Sequence, residues 1–254
     1  LAVGLLLSCG LMLKVLPHAW GLPGAAGNAF ITLVWMAGIT NAMNFFDGMD
    51  GLAAGLGAIL AFFLGVLAFQ TVHPHLGWVA VAMLGACLGF LPHNFRVKKR
   101  ARIFLGDAGS NFIGFVLAGL AVWGEWADNP MRSLLPPLLI FFILIFDLLH
   151  ISVDRVVTGK VRTVRQWLEY VGTDHLHHRI AAVLGGKGRT VLFIYVLAVC
   201  LGASAMIIRT ASTTNALLVL LQAGIIVALV TVLERRGRRA LRREEELVHR
   251  AREN

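Results

Sequence analysis

An all-α, polytopic membrane bundle of about eight helices is the fold this sequence predicts, and three observations predict it. The 254 residues are 57% hydrophobic and 15% charged, with a mean hydropathy of +0.75, where an average soluble domain has roughly 45–50% apolar and 25% charged residues. Uncharged runs long enough to cross a bilayer, about 20 residues each, recur along the chain. The Lys and Arg residues fall on one set of connections between those runs. A disordered chain and a disulfide scaffold are excluded. Cys9, Cys87 and Cys200 all lie in apolar runs, where a thiol behaves as a small hydrophobe. The formal charge of +9 and the pI of about 10.3 point to an anionic membrane face before nucleic acid.

The runs can be taken in order. Leu1–Leu16 is read as the first span; because it starts at Leu rather than Met, within apolar sequence, an N-terminal portion is expected to be missing. Asn28–Phe46, Leu52–Val72, Thr190–Ile208 and Ala211–Leu233 have full spanning length. Leu76–Leu91, Phe112–Val122 and Ser133–Phe146 suffice once flanking polar residues snorkel or face a protein interior. With a cytoplasmic N-terminus, the inside segments are 41–51, 92–111, 150–189 and the tail from Glu234. They hold 20 of the 23 Lys and Arg residues, all but Lys14, Arg132 and Arg209. That asymmetry sets the orientation. Residues 1–233 are thus one membrane domain. Residues 234–254 form a basic tail that reads as an exposed juxtamembrane helix.

Acidic and amide residues at membrane boundaries are expensive and mark cavities. The stretch Asn41-Ala-Met-Asn44-Phe-Phe-Asp47-Gly-Met-Asp50-Gly51 places Asn44, Asp47 and Asp50 at i, i+3 and i+6, close to one face of a helical or turn-like backbone. These hard oxygen donors suit magnesium, which takes one or two carboxylates and fills its shell with phosphate and water; the same residue types also make turns and caps. In Ile103-Phe104-Leu105-Gly106-Asp107-Ala108-Gly109-Ser110, Asp107 can cap the next helix. There, Ser110 or first-turn amides can hold an anion, and Phe104 is placed to stack on a planar ring. The basic run from Arg96 to Arg102 reads as topology signal or phosphate contact. In Asp174-His175-Leu176-His177-His178-Arg179, three imidazoles and a guanidinium suit a diphosphate, with zinc as the rival. Asp147, late in an apolar run, is expected to face a cavity or pair with Arg155. Glu125, His18, His73, His75 and the six tryptophans fit membrane-edge positions.

Together these clusters resemble the polyprenyl-phosphate N-acetylhexosamine-1-phosphate transferases, glycosyltransferase family 4. NAMNFFDGMDGLAAG is similar to that family's Asn-rich Asp-Gly-x-Asp-Gly motif, FLGDAGS to its Gly-Asp-x-Gly-Ser motif, and HLHH to its His-x-His-His motif, in the same order over residues 1–182. The resemblance implies that undecaprenyl phosphate attacks the β-phosphate of a UDP-N-acetylhexosamine, releasing UMP and leaving a lipid-linked sugar diphosphate for cell-envelope glycans. It implies a magnesium ion (Mg2+, with Mn2+ as the alternative) on Asn44 and Asp107. Asp47, Asp50 and Asp107 become the catalytic carboxylates, Phe104 stacks near uracil, and His175, His177, His178 and Arg179 bind the diphosphate. The implied partners are the UDP-sugar, undecaprenyl phosphate and the bilayer, without nucleic acid and with a homodimer as an open alternative. The implied setting is the bacterial inner membrane, with the motif loops cytoplasmic.

The chain departs from the family pattern in two places. The family's Asp-Asp pair on an earlier loop is absent, which the expected N-terminal loss explains. The stretch from Asn94 to Asp107 is longer and more basic than usual, so no uridine contact is carried to Asn94. HLHH without a following His-Phe-Glu run resembles the GlcNAc-1-phosphate branch more than the muramyl-pentapeptide branch. A secondary transporter would instead place its polar residues near span centres.

Overall fold

In the computed structural model, described here for residues 2–71, 73–96, 100–127, 130–159, 161, 163, 166 and 175–253, all regular structure is helical. The helices are α1 Ala2–Ser8, α2 Gly21–Phe45, α3 Leu52–Phe69, α4 Pro74–Asn94, α5 Gly106–Trp123, α6 Pro130–Ile140, α7 Phe142–Val157, α8 Leu176–Leu184, α9 Lys187–Ile208 and α10 Thr213–Glu253.

Helix α3 is the axis of the bundle. Its sequence, LAAGLGAILAFFLGVLAF, is apolar all round, and an all-apolar helix belongs where neighbours surround it. Helices α4, α5 and α9 pack on it, α2 lies along α5, and α8 is held between α9 and α10. Leu52, Leu56, Leu60, Leu64 and Leu67 are fully buried. The outer helices turn large apolar residues outward, Trp78, Val79 and Leu88 on α4 and Leu217, Leu221 and Ile225 on α10. A soluble monomer does not tolerate so continuous an apolar exterior; a bilayer does.

Among the described residues, five helices are long and apolar enough to span, or six if the α6–α7 pair, bent by 73°, counts as one broken span. The bend falls at Phe141, shortly after Pro136 and Pro137, which lack N–H donors. Two differences separate this count from the expected eight. Leu1–Leu16 is helical only to Ser8: Gly10 turns the chain at φ +77°, and polar side chains of α2 then capture the backbone. The Leu13 N–H donates to Thr32 Oγ1 (2.9 Å), and those of Val15 and Leu16 donate to Asn28 Oδ1 (3.1 and 2.8 Å). The other difference is α5, whose first turn carries polar motif residues rather than apolar ones.

Boundary residues are also redistributed. Trp126 is buried, its Nε1–H donating to the Ala121 carbonyl (3.0 Å), so it packs into the protein rather than facing outward, and Trp167 lies outside the described residues. Glu125 pairs with Lys14 at 2.8 Å. The tail boundary at 234 falls inside the continuous α10, and Glu234 is buried rather than exposed.

Candidate functional site

The first motif sits where α2 runs out. After Phe45 the backbone tightens into a 3-10 turn over Phe46–Gly48, extends at Met49, and reverses at Gly51, whose φ of +83° suits glycine. Asn44 therefore stays on the last helical turn while Asp47 and Asp50 leave it on the loop. Their i, i+3, i+6 spacing is realised as a curl around the helix end rather than as a helical stripe.

The second motif meets the first there. Asp107 lies in the first turn of α5 and does not cap it; no side chain does. Instead the Gly106 backbone, at a φ of +65° where the helix starts with its N–H free, lies beside the Asp47 carboxylate. The fully buried Ser110 hydroxyl lies 2.7 Å from Asn44 Oδ1, to which it donates, and 3.3 Å from the Asp107 carbonyl. Ser110 thus ties the two motifs together through Asn44 instead of holding an anion. Asp47 also feels the negative charges of Asp107 and Asp50. Phe104, 76% exposed on the approach to α5, leaves its ring open to a planar group.

Asn94, which sequence reasoning set aside, is the clasp between these loops. Its Oδ1 accepts the Gly51 N–H (2.6 Å) and its Nδ2 donates to the Ile103 carbonyl (2.9 Å). The Ala101 N–H donates to Asp50 Oδ2 (3.3 Å), and the Tyr195 hydroxyl of α9 donates to the Gly51 carbonyl. The only sequence signal for Asn94 was a polar amide at the end of an apolar helix.

The third motif closes over the first. Asp147 of α7 accepts the Leu176 N–H at Oδ1 (2.7 Å), and its Oδ2 lies 3.2 Å from His175 Nδ1. Asp147 therefore supports the start of α8, one of the two roles open to it. From there His177 leans on the turn of the first motif: a Cβ added at Gly48 would stand 2.8 Å from His177 Nε2. Phe45 tilts against His175 and Phe46 against His177, while the His175 and His177 rings stack 5.8 Å apart. His177 is 1% exposed and neither ring nitrogen has a hydrogen-bond partner. Burial first, then the neighbouring His178 and His175, push its ring down to about 3. His178 is lowered too, mainly by burial. A neutral His177 imidazole can give or take a hydrogen bond at either ring nitrogen.

Arg179 is drawn elsewhere. Its guanidinium, 4% exposed, donates to Glu234 and to Asp154 Oδ2 (3.1 Å) rather than opening toward the acidic turn. Asp174 and the centre of the basic run, 97–99, lie outside the described residues.

No three His, Cys, Asp or Glu side chains form a ready-made metal cage among the described residues. The donor set still fits magnesium: one amide oxygen and one carboxylate from Asn44 and Asp107, with Asp47 close by, leave most of a six-oxygen shell to phosphate and water. The same scarcity of ligands fits zinc poorly.

The glycosyl transferase family 4 profile matches residues 2–125. Curated relatives include a decaprenyl-phosphate N-acetylglucosaminephosphotransferase of Mycobacterium leprae, 34% identical over 80% of this chain and 54% of its own length. A probable undecaprenyl-phosphate N-acetylglucosaminyl 1-phosphate transferase of Bacillus subtilis is 31% identical over 72% and 48%. A phospho-N-acetylmuramoyl-pentapeptide-transferase of Synechococcus is 44% identical over 47% and 36%. The chain spans about half the length of the first two. With its helical membrane architecture and with the three motifs meeting at one end of the bundle, the chain is similar to glycosyl transferase family 4 over residues 2–125 and to these polyprenyl-phosphate transferases over most of its own length.

Proposed function

We propose that this chain belongs to an enzyme that transfers N-acetylhexosamine-1-phosphate, GlcNAc-1-phosphate in the first instance, from a UDP-sugar to undecaprenyl phosphate. UMP leaves, and a lipid-linked sugar diphosphate for cell-envelope glycans remains. The observation that carries this reading is the convergence of three separated motifs: Ser110 on Asn44, Gly106 on Asp47, and His177 on Gly48. The relatives' names support the chemistry of the acceptor, and the positive-inside asymmetry supports motif loops on the cytoplasmic side, in this reading of a bacterial inner membrane.

In this reading Asn44 and Asp107 hold Mg2+, or Mn2+, which supplies neutralisation of charge on the diphosphate. Asp47 and Asp50 shape the nucleotide-sugar end of the site, and the open Phe104 ring stacks on uracil. The buried His177, together with His175 and His178, lines the diphosphate and excludes water beside it. Donors fixed before the substrate arrives need no reorganisation as charge moves to the leaving phosphate.

Membranes carrying the protein from its natural coding sequence are incubated with UDP-GlcNAc, undecaprenyl phosphate and Mg2+. Mass spectrometry is expected to find UMP and lipid-diphosphate-GlcNAc; no product overturns the proposal. Asp107→Ala and Asn44→Ala should each abolish the Mg2+-dependent turnover without preventing membrane insertion, and retained turnover in both removes the metal assignment. UDP-MurNAc-pentapeptide in place of UDP-GlcNAc tests the muramyl branch, for which the 44% identity over 128 residues is the argument.

A further inference from the structure

Glu234 belongs to none of the three motifs, yet it is a carboxylate 2% exposed near the end of the apolar stretch of α10. Burying a charge is costly unless it is paired and hydrogen-bonded, and Glu234 is both. Its Oε1 accepts from Arg179 Nη1 on α8, and its Oε2 lies 2.8 Å from His150 Nδ1 on α7. Arg179 Nη2 in turn donates to Asp154, also on α7. One turn after Glu234, Gly237 faces the same way; a Cβ there would collide with the Arg179 carbonyl, so α10 crosses α8 with no room for a side chain.

Three helices are locked at this node, and it is not isolated. Asp147, His150 and Asp154 follow i, i+3, i+7 on one face of α7. The first holds the start of α8 through Leu176 and His175; the others meet Arg179 and Glu234 a turn further on. The short α8 is therefore clamped from one side by α7 and from the other by α10, and this clamp determines where the histidines stand against Gly48.

Resting on the function proposed above, we infer that Glu234 is a positioning residue for the nucleotide-sugar site. Through Arg179 it fixes α8, and with α8 the imidazoles of His175, His177 and His178, against the Asp47–Gly48 turn.

The test compares wild type, Glu234→Gln and Glu234→Asp in the complete membrane protein. Hydrogen exchange of residues 177–184 is read first, without substrate. It should speed by about fivefold or more in Glu234→Gln, as local opening becomes easier, with Glu234→Asp between it and wild type. Steady-state transfer is read second. Misplacing donors by a fraction of an ångström should raise the KM for UDP-GlcNAc about tenfold or more, leave the KM for undecaprenyl phosphate unchanged, and be partly rescued by Glu234→Asp. Unchanged exchange in Glu234→Gln overturns the inference, as does an equal rise in both KM values. Should wild type show no transfer, the proposed function fails while the exchange arm still decides the positioning role. If Glu234→Gln does not assemble, Glu234→Asp carries both measurements.

Discussion

At His177, two ring nitrogens are buried without a partner and the ring is held neutral far below its ordinary 6.5. The sign of the pH dependence follows. Between about 3 and 6.5 the unfolded chain binds a proton at this ring and the folded chain does not. The stability this site contributes is therefore whole above 6.5 and falls as the pH drops toward 3. The unfolding midpoint in detergent should decline between pH 7.5 and 4.5, and decline less in His177→Asn; equal declines would contradict the assignment. Asn94 offers a second residue-scale test. Alanine there leaves the Gly51 N–H and the Ile103 carbonyl without their clasp, a loss of about 1–3 kcal/mol for buried unsatisfied groups. Thermal unfolding of Asn94→Ala measures it. The family motifs made Asn44, Asp47 and Asp107 legible in the sequence; Asn94 was not, because a clasp is defined by two distant backbone groups and not by its neighbours in the chain.

Between elements, the α2–α5 contact is the one that aligns the site. Gly114 of α5 lies against α2 so closely that a Cβ would stand 2.9 Å from the Thr40 Cα and 3.0 Å from the Met43 Cβ. Small residues let membrane helices approach in this way. Asn44 is one turn beyond Thr40, and Ser110 one turn before Gly114, so the spacing of the two helices is also the spacing of the two motifs. Gly114→Val should cost about 1–3 kcal/mol by overpacking and part Asn44 from Ser110. A lowered unfolding midpoint together with weakened Mg2+ dependence of transfer is the expected result. Composition made the apolar stretches legible as helices, but not that α1 would stop at Ser8, because the competing hydrogen bonds come from Asn28 and Thr32 on another element.

For the molecule as a whole, the three motifs meet at one end of the bundle while the described flanks of the outer helices stay apolar. The proposed orientation predicts a labelling pattern. Once Cys9 and Cys200, both exposed, are replaced by Ser, an impermeant maleimide added to intact cells should modify Gln70→Cys. It should leave Ile103→Cys untouched until the membrane is opened. The reverse pattern would invert the topology and separate the motifs from a cytoplasmic nucleotide sugar.

The sequence alone specified the membrane environment and the class of fold, and its short polar runs marked the motifs that carry the family resemblance. Those depend on local apolarity, on the one-sided distribution of 20 of the 23 basic residues, and on short runs whose residue types suffice. Only the tertiary structure decided which side chains meet. It gave Arg179 to Glu234 and Asp154, Ser110 to Asn44, Asp147 to the start of α8, and His177 to a close contact with Gly48. The physical reason is that a buried charge or hydrogen bond takes its partner from whatever element the packing brings near, and in this bundle those partners lie tens of residues away along the chain.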